Sequence, residues 1–272
     1  VIKSYYLDMK DKIGIDFRPD IVYHLAANLD EEDKNVYNDN VSMTKNILDF
    51  CRRNKVKHTI FLSSSGVLGE TNEAAAEDMP YNPETLYEKS KADCEKLIAS
   101  SGMPYTIIRA PIIIGPNKAW LGIFKAAKKG YPLIGNGNNY FHLIYIDDVV
   151  DLLILAANNK KAINQILHAA SKDVHTYKEI YEMICDELKI RMTEKRISPR
   201  MALALYSLYS IIYKIKGKKV PITARRSSIQ RLIRNRIIST EKAEKILGFH
   251  PKYDTRKALK ETVDYFRNTK AI

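Results

Sequence analysis

From Lys57 to Gly66 the chain reads KHTIFLSSSG. A short apolar run with β-branched residues, ending in three serines and a glycine, is the pattern of a strand buried on both faces that exits into a tight loop. Two other stretches share it. DIVYHLAAN (Asp20–Asn28) ends in small residues, and PYTIIRAPIIIGP (Pro104–Pro116) is β-branched with proline at its exits. Between them, VSMTKNILDFCRRN (Val41–Asn54) has apolar residues at helical spacing and a basic end. TLYEKSKADCEKL (Thr85–Leu97) also reads as a helix. Strands alternating with helices predict an α/β fold with a parallel sheet. In such a sheet ligands bind beyond the carboxyl ends of the strands. Those ends are Ala26-Ala27, Ser63-Ser64-Ser65 and Arg109-Ala110-Pro111.

The flanking segments are less regular. VIKSYYLDM at the start reads as a strand and its exit. His142–Asn158 reads as a strand followed by a helix from Asp147 or Asp148, where acids suit a helix N-terminus better than a carboxylate pair. NQILHAAS (Asn164–Ser171) reads as a further strand. Helices are expected over 177–190, from Thr240 to the stop at Gly248, and over 255–266. The 272 residues suffice for one large domain or a domain with a smaller lobe. Cys51, Cys94 and Cys185 are far apart and form no C-x-x-C, which argues against a disulfide framework or zinc site. No His/Cys/acid cluster has metal-ligand spacing, and His24 reads as a core or near-cofactor residue. No stretch of 18 apolar residues is present, and the first residues show no signal-peptide pattern. The expected location is cytoplasmic.

Tyr87 and Lys91 stand four apart on the second helical segment. A free tyrosine has a pKa near 10 and is a poor acid or base at neutrality. An ammonium one turn away would stabilise the phenolate and lower that value. A serine hydroxyl in reach of the same substrate oxygen would hold it. This trio suits proton movement during oxidation of an alcohol or reduction of a ketone, with a nicotinamide carrying the hydride.

The sequence resembles the extended branch of the short-chain dehydrogenase/reductase family, the NAD-dependent epimerase/dehydratase group. YEKSK matches its Tyr-x-x-x-Lys, IFLSSSGVLG its serine strand, YNDNVSMTKNIL its asparagine segment and YHLAAN the strand end under the cofactor. IIRAPIIIGP, FHLIYIDDVV and KAEKILGFHP match later landmarks in order, so the resemblance spans essentially the whole chain. It implies a Rossmann-type doubly wound sheet over 1–170 and a mostly helical substrate lobe over 171–272, with some lobe residues from 115–140. It implies an enzyme using NAD or NADP on a small-molecule secondary alcohol or ketone of sugar, sterol or flavonol type. Tyr87 would be the acid/base. Lys91 would lower its pKa and bond the nicotinamide ribose, Ser64 would hold the reacting oxygen and Asn40 would support the site. Asp8 would bond the adenine, or be a plain loop acid. Leu25, Ala26 and Ala27 would line the cofactor, and Pro111 would lie near the nicotinamide. A homodimer through the helices of 41–54 and 85–100 is also implied.

Three departures qualify the resemblance. The Gly-x-x-Gly-x-x-Gly loop is missing, so the chain is expected to start near the family's third strand, N-terminally truncated, and to hold the pyrophosphate weakly. The loop's absence supports an alternative, a non-catalytic relative that kept the fold. Phe141 stands where nucleotide-sugar enzymes often carry an arginine, and Ile112 where they often carry an asparagine. Both changes favour a less polar substrate over a nucleotide sugar.

From Arg191 to Arg236 there are thirteen Lys or Arg and one acid, Glu194, so this segment holds the whole net charge of +12. Three readings stand. It is a solvated surface with the apolar run Met201–Tyr213 packed in the core, or it lines the substrate lobe and holds an anionic group. Alternatively it lies on an anionic membrane. No nucleic-acid recognition motif accompanies the charge.

Overall fold

The computed structural model describes residues 5–217, 220 and 225–272. Residues 5–9, expected to belong to a strand, instead run as irregular, mostly exposed chain; residues 1–4 lie outside the described part. The first half runs β1 (Ile21–His24), α1 (Val36–Asn54), β2 (His58–Ser64), β3 (Thr71–Ala75), α2 (Leu86–Ala99), β4 (Tyr105–Ala110) and β5 (Ile112–Ile114). Next come α3 (Lys118–Lys128), β6 (Leu133–Ile134), β7 (Tyr140–Tyr145), α4 (Ile146–Ala157), β8 (Gln165–His168), β9 (Val174–Thr176) and α5 (Tyr177–Leu188). The chain finishes with β10 (Arg196–Ile197), α6 (Pro199–Ile215), α7 (Arg226–Arg231), β11 (Arg236–Ile238), α8 (Glu241–Leu247) and α9 (Thr255–Asn268).

The central sheet is parallel in the order β1-β2-β4-β8, with Ile60 opposite Thr106 and Ser64 opposite Ala110. Successive residues of a strand point to opposite faces. Phe61 and Ile107 therefore pack with Leu48, Cys94 and Ile98 of α1 and α2. Ile60 and Ile108 pack with Leu152 of α4 and Leu247 of α8. Helices thus cover both faces, which is why the strands read as unbroken apolar runs. The four carboxyl ends, His24, Ser64, Ala110 and His168, lie at one edge of this doubly wound sheet.

Helix α1 begins at Val36, five residues before the expected start. Its first turn is polar except for the fully buried Val36, so the apolar period is hidden there. A second sheet, β3-β11-β7-β5, carries β9 antiparallel on β7, and places Arg236 opposite both Thr71 and Phe141. Beside it Trp120, Phe124, Ile180, Ile184, Leu259 and Phe266 of α3, α5 and α9 form a separate apolar core. Asp148 accepts the N–H groups of Lys252 (2.8 Å) and Tyr253 (3.2 Å), so it ties the C-terminal loop to α4.

Candidate active site

The first turn of α2 sets the position of Tyr87. Thr85 accepts the Glu88 N–H (3.1 Å) while the Glu88 carboxylate accepts the Thr85 N–H (3.0 Å), a reciprocal cap. Arg236, arriving from β11, pairs with the same Glu88 at 2.8 Å. The loop after β2 packs directly on this turn: a Cβ on Gly66 would lie 2.7 Å from Glu88 Oε1, so a larger residue there would have to displace the Glu88 side chain from its cap. Ser64, at the end of β2, accepts the Gly66 N–H at 3.1 Å within that loop.

Asn40 ties three elements together. Its Oδ1 accepts the Asn28 N–H (2.7 Å). Its Nδ2 donates to Asn28 O (3.2 Å) and to Ser90 Oγ (2.9 Å), and Ser90 donates to Tyr87 O (2.6 Å). The loop holding Ala26 and Ala27 is thereby locked to α1 and α2. Below it, His24 Nε2 lies 2.9 Å from Thr44 Oγ1, whose hydroxyl donates to Cys94 Sγ. Burial, with the Lys91 charge adding to it, pushes the His24 imidazole down to about 3, so it stays neutral.

Lys91 is buried. Its ammonium donates to Leu62 O (2.6 Å) and sits 4.1 Å from the Phe61 ring centre. Desolvation lowers its pKa to about 8. The expectation that Lys91 lowers the tyrosine is not what the structure shows. Burial, reinforced by the Glu31 carboxylate, holds the Tyr87 phenol above its ordinary value, and the leading cation that opposes this is Arg231. The lysine is turned toward the strand carbonyl, and a phenolate here would face an acid.

Leu25 is exposed, Ala26, Ala27 and Pro111 are half-buried, and all four follow the carboxyl ends of β1 and β4. Asp8 lies in an exposed turn, where it accepts the Lys10 N–H (2.9 Å) and pairs with the Lys10 ammonium (3.6 Å). Asn46 of α1 holds that turn through Met9 O and Lys10 O.

Sequence reasoning missed two clusters. Under the serine strand, Arg109 and Glu95 form a fully buried ion pair at 2.8 Å, with Tyr81 donating to Glu95 (2.9 Å) and Ser63 bonded to its other oxygen. This gives Ser63 a structural partner and leaves Ser64 on the open side. Above the site, the acidic run Asp30–Asp33 meets the second half of the basic segment: Arg225 binds Asp30 (2.8 Å), Arg231 binds Glu31 (2.6 Å) and Tyr206 donates to Glu32 (2.8 Å). Four consecutive acids were the available signal.

A cavity of about 520 Å³ opens one residue beyond Pro111. Its walls include Ile112, Trp120, Phe141, Leu143, Ile180 and Leu205, and Arg231 stands in its lining. Both positions that depart from the nucleotide-sugar pattern, 112 and 141, face this one space.

Residues 6–170 match the NAD dependent epimerase/dehydratase family. Among curated proteins the chain is similar to an Arabidopsis thaliana 3beta-hydroxysteroid-dehydrogenase/decarboxylase (isoform 1), 28% identical over 93% of this chain. It is also similar to a Saccharomyces cerevisiae sterol-4-alpha-carboxylate 3-dehydrogenase, decarboxylating, 25% identical over 94% of this chain. The chain spans 63% of the length of the Arabidopsis protein and 79% of the yeast one. Of solved structures, UDP-glucose 4-epimerase from Thermotoga maritima superposes with a TM-score of 0.72 at 23% identity, covering 93% of this chain and 78% of that one. UDP-glucuronic acid 4-epimerase from Bacillus cereus, in complex with NAD, gives 0.71 at 22% identity, covering 92% and 75%.

Proposed function

We propose that this chain, which belongs to the NAD dependent epimerase/dehydratase family, forms the proton-transfer and substrate-binding part of an enzyme that oxidises a secondary alcohol, or reduces the ketone, on a largely apolar sterol-like substrate. The observation that carries the reading is the cavity beside Pro111, walled by Ile112 and Phe141, where a sugar diphosphate would meet no polar side chain at either position. The sterol relatives support the same substrate class.

The residues present fit the nicotinamide end of NAD or NADP. The β1 exit offers the small, half-buried Ala26 and Ala27, and a buried ammonium, Lys91, on the Leu62 carbonyl of β2, lies one helical turn along α2 from Tyr87. When bound, the dinucleotide supplies or accepts the hydride. The chain's own groups do the rest. Tyr87 moves the proton at the substrate oxygen, and Ser64 donates a hydrogen bond that orients that oxygen. Lys91 holds ribose and positive charge, and Asn40 positions the Ala26–Asn28 loop without touching substrate. The raised Tyr87 phenol makes it a proton holder at neutrality, suited to donate to a forming alkoxide.

The test is turnover of apolar secondary alcohols, sterols among them, followed by nicotinamide absorbance and product analysis. Tyr87→Phe is expected to reduce turnover by about 10²–10⁴-fold. Unchanged turnover would sink the mechanism. Turnover of nucleotide sugars but not of apolar alcohols would sink the substrate class.

A further inference from the structure

The apolar run Met201–Tyr213, expected to pack in the core, forms α6 with only part of its surface covered. Ala202, Tyr206 and Tyr209 line the cavity, and Leu205, which also reaches it, is 41% accessible and stands between the cavity and the outer face. Met201, Leu205, Leu208, Ile212 and Ile215, spaced 4, 3, 4 and 3 apart, form one stripe along the helix, and every one of them is exposed. Leu208 is 56% and Ile215 81% accessible, and Ile211 beside the stripe is 58% accessible. Five apolar side chains in line on a helix are a patch that soluble surfaces seldom leave open.

The charge around the stripe identifies what covers it. The arginines of the second half of the basic segment meet acids: Arg225, Arg231, Arg234 and Arg236 pair with Asp30, Glu31, Glu84 and Glu88. In the first half, among the described residues, Arg191 alone meets an acid, the neighbouring Glu194 (2.8 Å). From Lys195 to Gly217 the chain has five basic residues and no acid. Arg200, Lys214 and Lys216 are exposed and stand at the two ends of the stripe. We infer that α6 docks the protein on an anionic lipid bilayer, lying in the interface with its Met201–Ile215 stripe in the acyl boundary and its terminal cations among the headgroups. No helix among the described residues is long and apolar enough to cross a membrane, so the contact is peripheral. A second copy of the chain is the poorer occupant. Pairing α6 with itself would bring cation to cation with no acid on the helix to answer them.

The inference extends the apolar-substrate reading, since a helix with one face on lipid and the other on the cavity gives a lipid-soluble alcohol a short path. Docking is nevertheless measured without substrate or cofactor. The 272-residue chain is sedimented with vesicles of phosphatidylcholine containing about one third phosphatidylserine, and with phosphatidylcholine alone. Expected is pelleting with the anionic vesicles and at least about tenfold weaker partition on the neutral ones or in about 1 M salt, where charges are screened beyond about 3 Å. The double variant Leu208→Glu/Ile212→Glu should lose at least about tenfold of the partition with its melting curve unchanged. Failure to pellet with anionic vesicles, or equal pelleting of the double variant, overturns the docking. So does a dimer in sedimentation velocity that the double variant converts to a monomer, because the stripe then belongs to a second copy. Inactivity of a chain that still docks counts against the catalytic reading alone.

Discussion

Around Tyr87 the polar side chains are tied to one another: Asn40 to Asn28 and Ser90, Ser90 to Tyr87 O, Lys91 to Leu62 O, Ser63 and Tyr81 to the Glu95–Arg109 pair. Along the outer face of α6, apolar side chains stand in solvent between cations. Both regions contradict the simplest rule of apolar inside and polar outside, and for different reasons. A buried polar network is tolerated when its members satisfy each other, and it then allows one geometry. An exposed apolar stripe has no such internal answer and points to something outside the chain. The first region is built to hold atoms in place, the second to be covered.

The sharpest test of that contrast is stability. Arg109→Ala leaves the Glu95 carboxylate buried without its cation and is expected to cost about 3–5 kcal/mol. Leu208→Glu on α6 should shift the unfolding free energy by no more than about 0.5 kcal/mol. Urea denaturation of both variants measures the difference. If the two changes cost the same, the corner is not held by its ion pair. Loss of the pair would also free Ser63, one residue from Ser64, so turnover should fall even where the variant remains folded.

Acid probes the same corner with a smaller effect. The folded value of His24 is about 3, below its unfolded value near 6.5, so the unfolded chain binds the extra proton first. Its contribution is therefore fully present above about pH 6.5 and is lost as pH falls toward 3, reaching about 2 kcal/mol at about pH 5. His142 and His168, held down to about 4 and 3 by burial, act in the same direction. Replacing His24 by Asn should flatten the stability–pH curve between about pH 7 and 5 by that one share. A curve of unchanged slope would mean that His24 is not kept neutral by the fold.

How far these regions could be read from sequence follows from the range of the interactions that make them. The β2 exit and the Tyr87–Lys91 spacing are local, and they were legible along with the parallel sheet. Phe141 and Ile112 were legible as apolar replacements, but their meeting in one cavity depends on β5 pairing with β7. The pairing of Arg236 with Thr71, and its reach to Glu88, join residues about 150 or more positions apart, which no periodicity reports. The direction of the Tyr87 shift was missed for the same reason: burial is its largest cause, and the leading charges, Glu31 and Arg231, lie far from α2 in the sequence.

The Glu31–Arg231 pair is where the two regions meet, and it carries the smallest expected effect. Arg231 lines the cavity on the α6 side, and Glu31 sits on the loop after β1. The pair is partly exposed on the arginine side, so its share of stability is about 0.5 kcal/mol or less. Its influence on chemistry follows from sign. Glu31 raises the Tyr87 phenol and Arg231 lowers it. Glu31→Gln removes the raising charge and leaves the guanidinium unopposed, so the phenol should ionise at lower pH and the alkaline limb of the pH–rate profile should move toward neutrality. Arg231→Gln should move it the other way. Opposite shifts with near-equal melting temperatures would show that Glu31 and Arg231 set the Tyr87 phenol by charge. Shifts of the same sign would reduce the pair to a clasp between loop and lobe.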